Sequence, residues 1–218
     1  MYIMETQITA SNYPSWIKNT SALISIIFHP LFVGVMMAAY LIYGHPDYFT
    51  GFYAQEKMMK ILAVINNNVF FPLLVVVLLK ALGFSDSVLL KTQKERIVPY
   101  IASITFFFWT YHVFKNQPET PLVLVNMCRG MFFTSAAALL LNNYFKISMH
   151  GMGVGGAVGL MLFTVIDGSL HSGLPLMVTF LVAGAVLSAR KVVSDHNWFE
   201  LITGFILGMI SQLIPLWF

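Results

Sequence analysis

Residues 189–200 read ARKVVSDHNWFE and stand between two strongly apolar runs, 174–189 and 198–217. A polar island so placed turns the chain back into the apolar medium it has just left. Upstream lie five more apolar runs, at about 21–43, 60–83, 98–114, 121–142 and 149–166. A membrane-spanning helix needs about 20 mostly apolar residues. The runs at 98–114, 149–166 and 174–189 are short enough to be partly re-entrant.

The composition agrees. Of 218 residues 58% are hydrophobic and only 10% charged, with a mean hydropathy of +0.77; a soluble domain is nearer a quarter charged. A β-barrel would show short alternating segments instead of continuous apolar runs. The sequence therefore predicts an all-α fold, a polytopic transmembrane bundle of six to seven helices. It reads as a single domain over 1–218, with a short N-terminal segment, 1–20, outside the bundle. The first apolar run is too long for a leader's apolar core and follows a start poor in positive charge, so no cleavable leader is expected. The net charge of +3 comes without a basic run, which argues against a nucleic-acid partner. A single cysteine, Cys128, excludes an internal disulfide and any multi-cysteine metal centre.

If all seven runs span, the connections 84–97, 143–148 and 190–197 share one membrane face. That face collects Lys91, Lys94, Arg96, Lys146, His150, Arg190, Lys191 and His196. The positive-inside rule would make it cytoplasmic. With Lys91, Arg96 and Arg190 set aside as site candidates, the remaining lysines favour that side only narrowly.

Several features point first to packing. Gly151, Gly155 and Gly159 repeat every four residues, as do Gly204 and Gly208, a spacing that lets helices approach closely. Gly151, Gly153 and Gly156 also match a dinucleotide-binding pattern, but no strand precedes them. Asn66 to Asn68, ahead of Pro72, predict a kinked, internally hydrogen-bonded helix. Arg129 lies deep in an apolar run, where a charge needs a partner. It is either a functional group or half of an ion pair with Asp167 or Glu200.

Three polar stretches can carry chemistry. In the opening segment His196 and Glu200 are four apart, so on a helix they share one face. A carboxylate there fixes the histidine tautomer and leaves the other nitrogen free to attack. Arg190 stands across the turn, where its fork can meet phosphate oxygens. The plainer reading is a helix cap, since Asn197 and Glu200 have capping-box spacing. In KISMHGMG, 146–153, Ser148 can hold a phosphate and His150 can protonate a leaving oxygen; equally, Ser148 can simply cap a helix. KTQKERIVP, 91–99, offers Lys91, Lys94 and Arg96 before a helix carrying Pro99 in its first turn.

Taken in order, KERIVP, ISMH and Arg190–His196–Glu200 resemble the three-part signature of the type 2 phosphatidic acid phosphatase superfamily. Its parts are Lys, six residues, Arg-Pro; then Pro-Ser-Gly-His; then Ser-Arg, five residues, His, three residues, Asp. The chain is more closely similar to small bacterial membrane members that share an early FHP, as at Phe28–Pro30. The resemblance runs from His29 to the last helix. It implies a membrane-embedded, metal-independent hydrolase or phosphotransferase acting on a lipid phosphate or diphosphate ester, with no cofactor. His196 would form a phosphohistidine, Glu200 would orient it, and His150 would protonate the leaving oxygen and then activate water. Arg96, Arg190, Ser148 and a lysine, Lys91 or Lys94, would neutralise the phosphoryl oxygens. The partner would be a membrane lipid. The setting would be a bacterial inner membrane, with the site leaning to the periplasmic face.

This sequence departs from the signature at several points. Leu89 stands where the first lysine belongs, and Pro99 follows Arg96 by three residues. Met149 replaces the glycine, Ala189 the serine and Glu200 the aspartate. The alternative expectation is a protein on the same scaffold that binds lipid phosphates, or acts in transport or assembly, without turning them over.

Overall fold

A computed structural model describes residues 13–84, 90 and 92–217. Helix α1 (Ser15–Ile27) meets α2 (Pro30–Ala39) at a 57° bend, and α2 runs into a π turn at Tyr40–Gly44. Helices α3 (Ala54–Ile65) and α4 (Phe71–Ala81) are joined by a second π turn, Asn66–Phe70, into one 28-residue stretch. Then follow α5 (Gln93–Lys115), α6 (Leu122–Leu141), α7 (Met149–Ile166), α8 (Gly173–Val193) and α9 (Trp198–Leu213). Among the described residues there is no strand.

Five helical stretches are long and apolar enough to cross a membrane: Ala54–Ala81, Gln93–Lys115, Leu122–Leu141, Met149–Ile166 and Leu170–Val193. The bent α1–α2 pair makes a sixth if taken as one span. Helix α9, with 16 residues, is shorter. Every expected apolar run is therefore helical, with 21–43 broken at a bend and 60–83 interrupted by a π turn, and the boundaries differ in an informative way. The expected short segments at 98–114 and 174–189 are helices of 23 and 21 residues, because Gln93–Arg96 and Arg190–Val193 continue the backbone ladder beyond the apolar stretch. Arg96 and Arg190 thus sit on helix ends, not in connections. Likewise α1 begins at Ser15, so residues 15–20, expected outside the bundle, belong to it. Of the remainder of that segment, residues 1–12 lie outside the described residues.

Helix α7 occupies the centre, with Val158, Leu160 and Met161 at 0–2% exposure. Its glycines do what their spacing predicts. A Cβ at Gly155 would stand 2.0 Å from the Phe205 carbonyl oxygen, and one at Gly208 would stand 2.1 Å from that of Met152. Backbones of α7 and α9 touch only because both side chains are missing. Outer faces of α4 and α8 expose Leu73, Leu74, Val77 and Leu78, and Leu174, Met177, Val178 and Leu181, as lipid-facing helices would.

The asparagine run forms the expected internal bonding. Asn67 Nδ2 donates to the Ala63 carbonyl at 2.9 Å, and Asn68 is buried against Met131 Sδ at 3.7 Å. Arg129 meets no carboxylate among the described residues. Its Nη2 donates to Asn126 Oδ1 at 2.9 Å and to the Pro215 carbonyl at 3.2 Å, tying α6 to the C-terminal turn. The two carboxylates considered for it are engaged elsewhere: Asp167 accepts from Tyr48 Oη at 3.5 Å, and Glu200 faces His196.

Candidate active site

Three capped helix starts and one helix end build the site. Thr92 and Glu95 form a capping box that opens α5, which places Arg96 one residue beyond the first turn. Gln93 and Asn142 exchange side-chain-to-carbonyl bonds at 2.6 and 2.9 Å, locking this start onto the end of α6. Arg96 then turns inward, 6% exposed, with Nε on the Leu90 carbonyl and Nη1 on the Ile147 carbonyl, both at 2.9 Å. Leu90 holds a left-handed φ of 49°, a conformation uncommon for a residue with a side chain.

Ser148 opens α7, its Oγ accepting from Gly151 N at 3.2 Å. It is fully buried, so the capping reading accounts for its hydroxyl. Its own N–H donates to the Glu200 carbonyl at 3.3 Å, which brings the start of α7 against the first turn of α9.

Asn197 and Glu200 make the capping box of α9. The Glu200 N–H donates to Asn197 Oδ1 at 2.8 Å, and Glu200 Oε2 accepts the Asn197 N–H at 3.2 Å. The same Oε2 lies 2.8 Å from His196 Nδ1. Capping and histidine orientation, posed as competing readings, are two functions of one carboxylate. With Nδ1–H donated to Glu200, the neutral ring carries its lone pair on Nε2. Burial holds the His196 pKa below its ordinary value, although the Glu200 hydrogen bond pulls the other way. His196 is thus poised as a neutral base or nucleophile.

Arg96 and His196 line one cavity of about 950 Å³, whereas Ser148 and Glu200 stand behind its wall. Its polar end carries Arg96, Lys146, His150, Arg190, Asp195 and His196; its shaft is mostly apolar, with Met37, Val76, Phe107, Met127 and Leu160, and adds Ser103, Thr134, Ser135 and Gln212. Leu160 lies ten residues along α7 from His150, a depth of roughly 15 Å at the helical rise. Arg190 Nε is buried with no hydrogen-bond partner among the described residues, so its guanidinium has bonding capacity to spare. His150 Nε2 is held by the Ser25 carbonyl at 3.0 Å, and the His29 ring stands edge-on to it with centroids 5.5 Å apart.

The lysines separate clearly. Lys94 is exposed and off the cavity wall, and Lys91 lies outside the described residues. Among the described residues the cavity's lysine is Lys146, which forms an ion pair with Asp195. Burial raises the Asp195 carboxyl, but the Lys146 ammonium, with a backbone hydrogen bond and the nearby His196, holds the pKa below the usual carboxylate value. In the sequence Lys146 is only one of the charges on the shared face. Its pairing with Asp195 spans 49 residues of sequence, and no local pattern announces it.

An anion entering this end meets two guanidiniums, the Lys146–Asp195 ion pair and a neutral imidazole, above a mostly apolar shaft. Among the described residues no cluster of three His, Cys, Asp or Glu side chains is arranged to hold a metal ion. Comparison with protein-family models, with curated proteins and with solved structures finds no match to this chain.

Proposed function

We propose that this protein is a membrane-embedded phosphatase or phosphotransferase whose substrate is a lipid phosphate or diphosphate ester. The observation that carries the reading is the Glu200-oriented His196 on the wall of a cavity it shares with Arg96, Lys146, Arg190 and His150. The resemblance to the type 2 phosphatidic acid phosphatases adds the chemistry. His196 Nε2 attacks phosphorus, and the bond from phosphorus to the lipid oxygen breaks. His150 first takes a proton from the bound phosphate monoanion and passes it to that oxygen, so the lipid alcohol leaves. Water then attacks the phosphohistidine while His150 takes the water's proton; the phosphate takes that proton back and departs, and both histidines are restored to their neutral forms. Arg96, Arg190 and Lys146 stabilise the charge on the phosphoryl oxygens, the largest need of such a transition state. Lys146 takes the part that the signature gives to a lysine near Arg96.

The shaft supports an amphiphilic substrate, because a soluble phosphate ester has no use for an apolar well of this depth. The resemblance favours the periplasmic side of a bacterial inner membrane for the site, while the lysine distribution narrowly favours the cytoplasmic side.

A second reading is supported by how the cations are engaged. Two Arg96 nitrogens are held by carbonyls and Lys146 is paired with Asp195, which suits a protein that binds lipid phosphate without turnover. Phosphate release from a panel of lipid phosphates in detergent, beside His196→Gln, separates the two. Release by the native protein alone supports the enzyme. Equal background from both proteins with retained lipid-phosphate binding rejects the enzyme in favour of the binder.

A further inference from the structure

His29 precedes proline, and a residue in that place is pushed out of helical backbone. His29 accordingly sits at φ −62° and ψ 139°, and the chain bends by 57°. Pro30 has no N–H, so the Ile26 carbonyl loses the donor it would find four residues on. The His29 N–H takes that carbonyl instead, at 3.3 Å. The Ser25 carbonyl is thereby deprived of the His29 N–H that a continuous helix would give it. It accepts from His150 Nε2 at 3.0 Å, across 125 residues of sequence.

A main-chain carbonyl only accepts. Nε2 therefore carries the proton, and the neutral ring keeps its lone pair on Nδ1. His196 shows the reverse arrangement, with Nδ1 held by Glu200. We propose that the Ser25 carbonyl, released by the break at Pro30, is a positioning group that commits His150 to Nδ1 as its reacting nitrogen. The two histidines then meet one phosphate through opposite nitrogens: His196 attacks through Nε2, and His150 exchanges protons through Nδ1. The carbonyl dipole also stabilises the imidazolium formed each time Nδ1 takes up a proton. The inference rests on the phosphatase reading for what His150 does in the reaction, but not for which nitrogen is protonated.

The test uses the full chain in detergent, labelled with ¹⁵N-histidine, with the His150 signals identified by their loss in His150→Gln. Long-range proton–nitrogen correlations at neutral pH are expected to show a protonated Nε2 and a bare Nδ1. A dominant Nδ1–H form overturns the proposal without any assay of activity. In Pro30→Ala, which lets α1 and α2 join, the single-tautomer signature is expected to be lost. With it kcat falls on the order of tenfold while KM stays put, as expected for a group that only orients a proton-transfer residue. An unchanged spectrum and kcat in a folded Pro30→Ala protein overturns the role of the break. Should that variant not fold, the spectrum of the native protein still decides. A correct tautomer in a protein that hydrolyses nothing would sink the phosphatase reading alone.

Discussion

Glu200 Oε2 lies 2.8 Å from His196 Nδ1 and accepts the Asn197 N–H at 3.2 Å, so one carboxylate oxygen both orients the proposed nucleophile and caps the helix behind it. The two functions respond differently to substitution. Glutamine serves a capping box as well as glutamate does, but it brings no negative charge to stabilise a His196 cation. Glu200→Gln is expected to lower kcat on the order of 100-fold or more, while stability stays within about 1 kcal/mol of the native protein. Phosphate release and thermal unfolding in detergent, measured side by side, check this. A variant that loses stability and keeps its rate would make Glu200 a cap only.

Lys146 and Lys94 make a second pair for comparison. Lys146 lines the cavity and is paired with Asp195; Lys94 is exposed. Lys146→Met is expected to weaken binding of a lipid phosphate about 10-fold or more, the cost of losing one charge-assisted bond. Lys94→Met should leave it within about 2-fold, as a solvent-screened charge does. Equilibrium binding of a non-hydrolysed lipid phosphonate measures both. Equal effects, or a larger one at Lys94, would return the lysine role to the segment before Arg96.

What the sequence revealed divides along a physical line. Apolar runs marked every helix, because burial in lipid acts residue by residue. They misplaced the ends, because backbone hydrogen bonding carries α5 and α8 past the apolar stretch to include Arg96 and Arg190. Ser148 and Asn197 were readable as caps, since a cap and its partner are three residues apart. The His196–Glu200 pair was readable for the same reason. Lys146 with Asp195, and His150 with Ser25, are separated by 49 and 125 residues. Such pairs exist only once α1, α7, α8 and α9 have packed. Arg129 makes no ion pair among the described residues: an amide oxygen and a carbonyl accept from its Nη2, and its Nε is buried without a partner.

The pH dependence follows from His196. Burial lowers its pKa below the ordinary histidine value of about 6.5, with Glu200 opposing. Protonation removes the attacking lone pair, so activity is lost as pH falls through the lowered value. The acid limb of kcat/KM is therefore expected below pH 6.5, at a lower pH than a free histidine would set. Stability moves the same way. His196, and His45 on the opposite face, whose pKa burial also lowers, both gain a proton more readily when unfolded. The unfolded state binds more protons below pH 6.5, so acidification destabilises the fold. An acid limb above 6.5 would mean that His196 is not the nucleophile.

Packing of α7 on α9 sets the distance between the two histidines, and glycine makes that packing possible. A Cβ at Gly155 would meet the Phe205 carbonyl oxygen at 2.0 Å, and backbone cannot swing aside as a side chain can. Gly155→Ala is expected to destabilise by about 1–3 kcal/mol or more and to depress activity by spreading His150 from His196. Gly184, in α8, faces nothing within 4 Å. Gly184→Ala should instead stabilise by about 0.5–1 kcal/mol, the usual gain from removing a mid-helix glycine, with kcat unchanged. Unfolding midpoints and phosphate release for the two variants supply the measurement. A Gly155→Ala protein as stable and active as the native one would show that α7 and α9 do not fix the site.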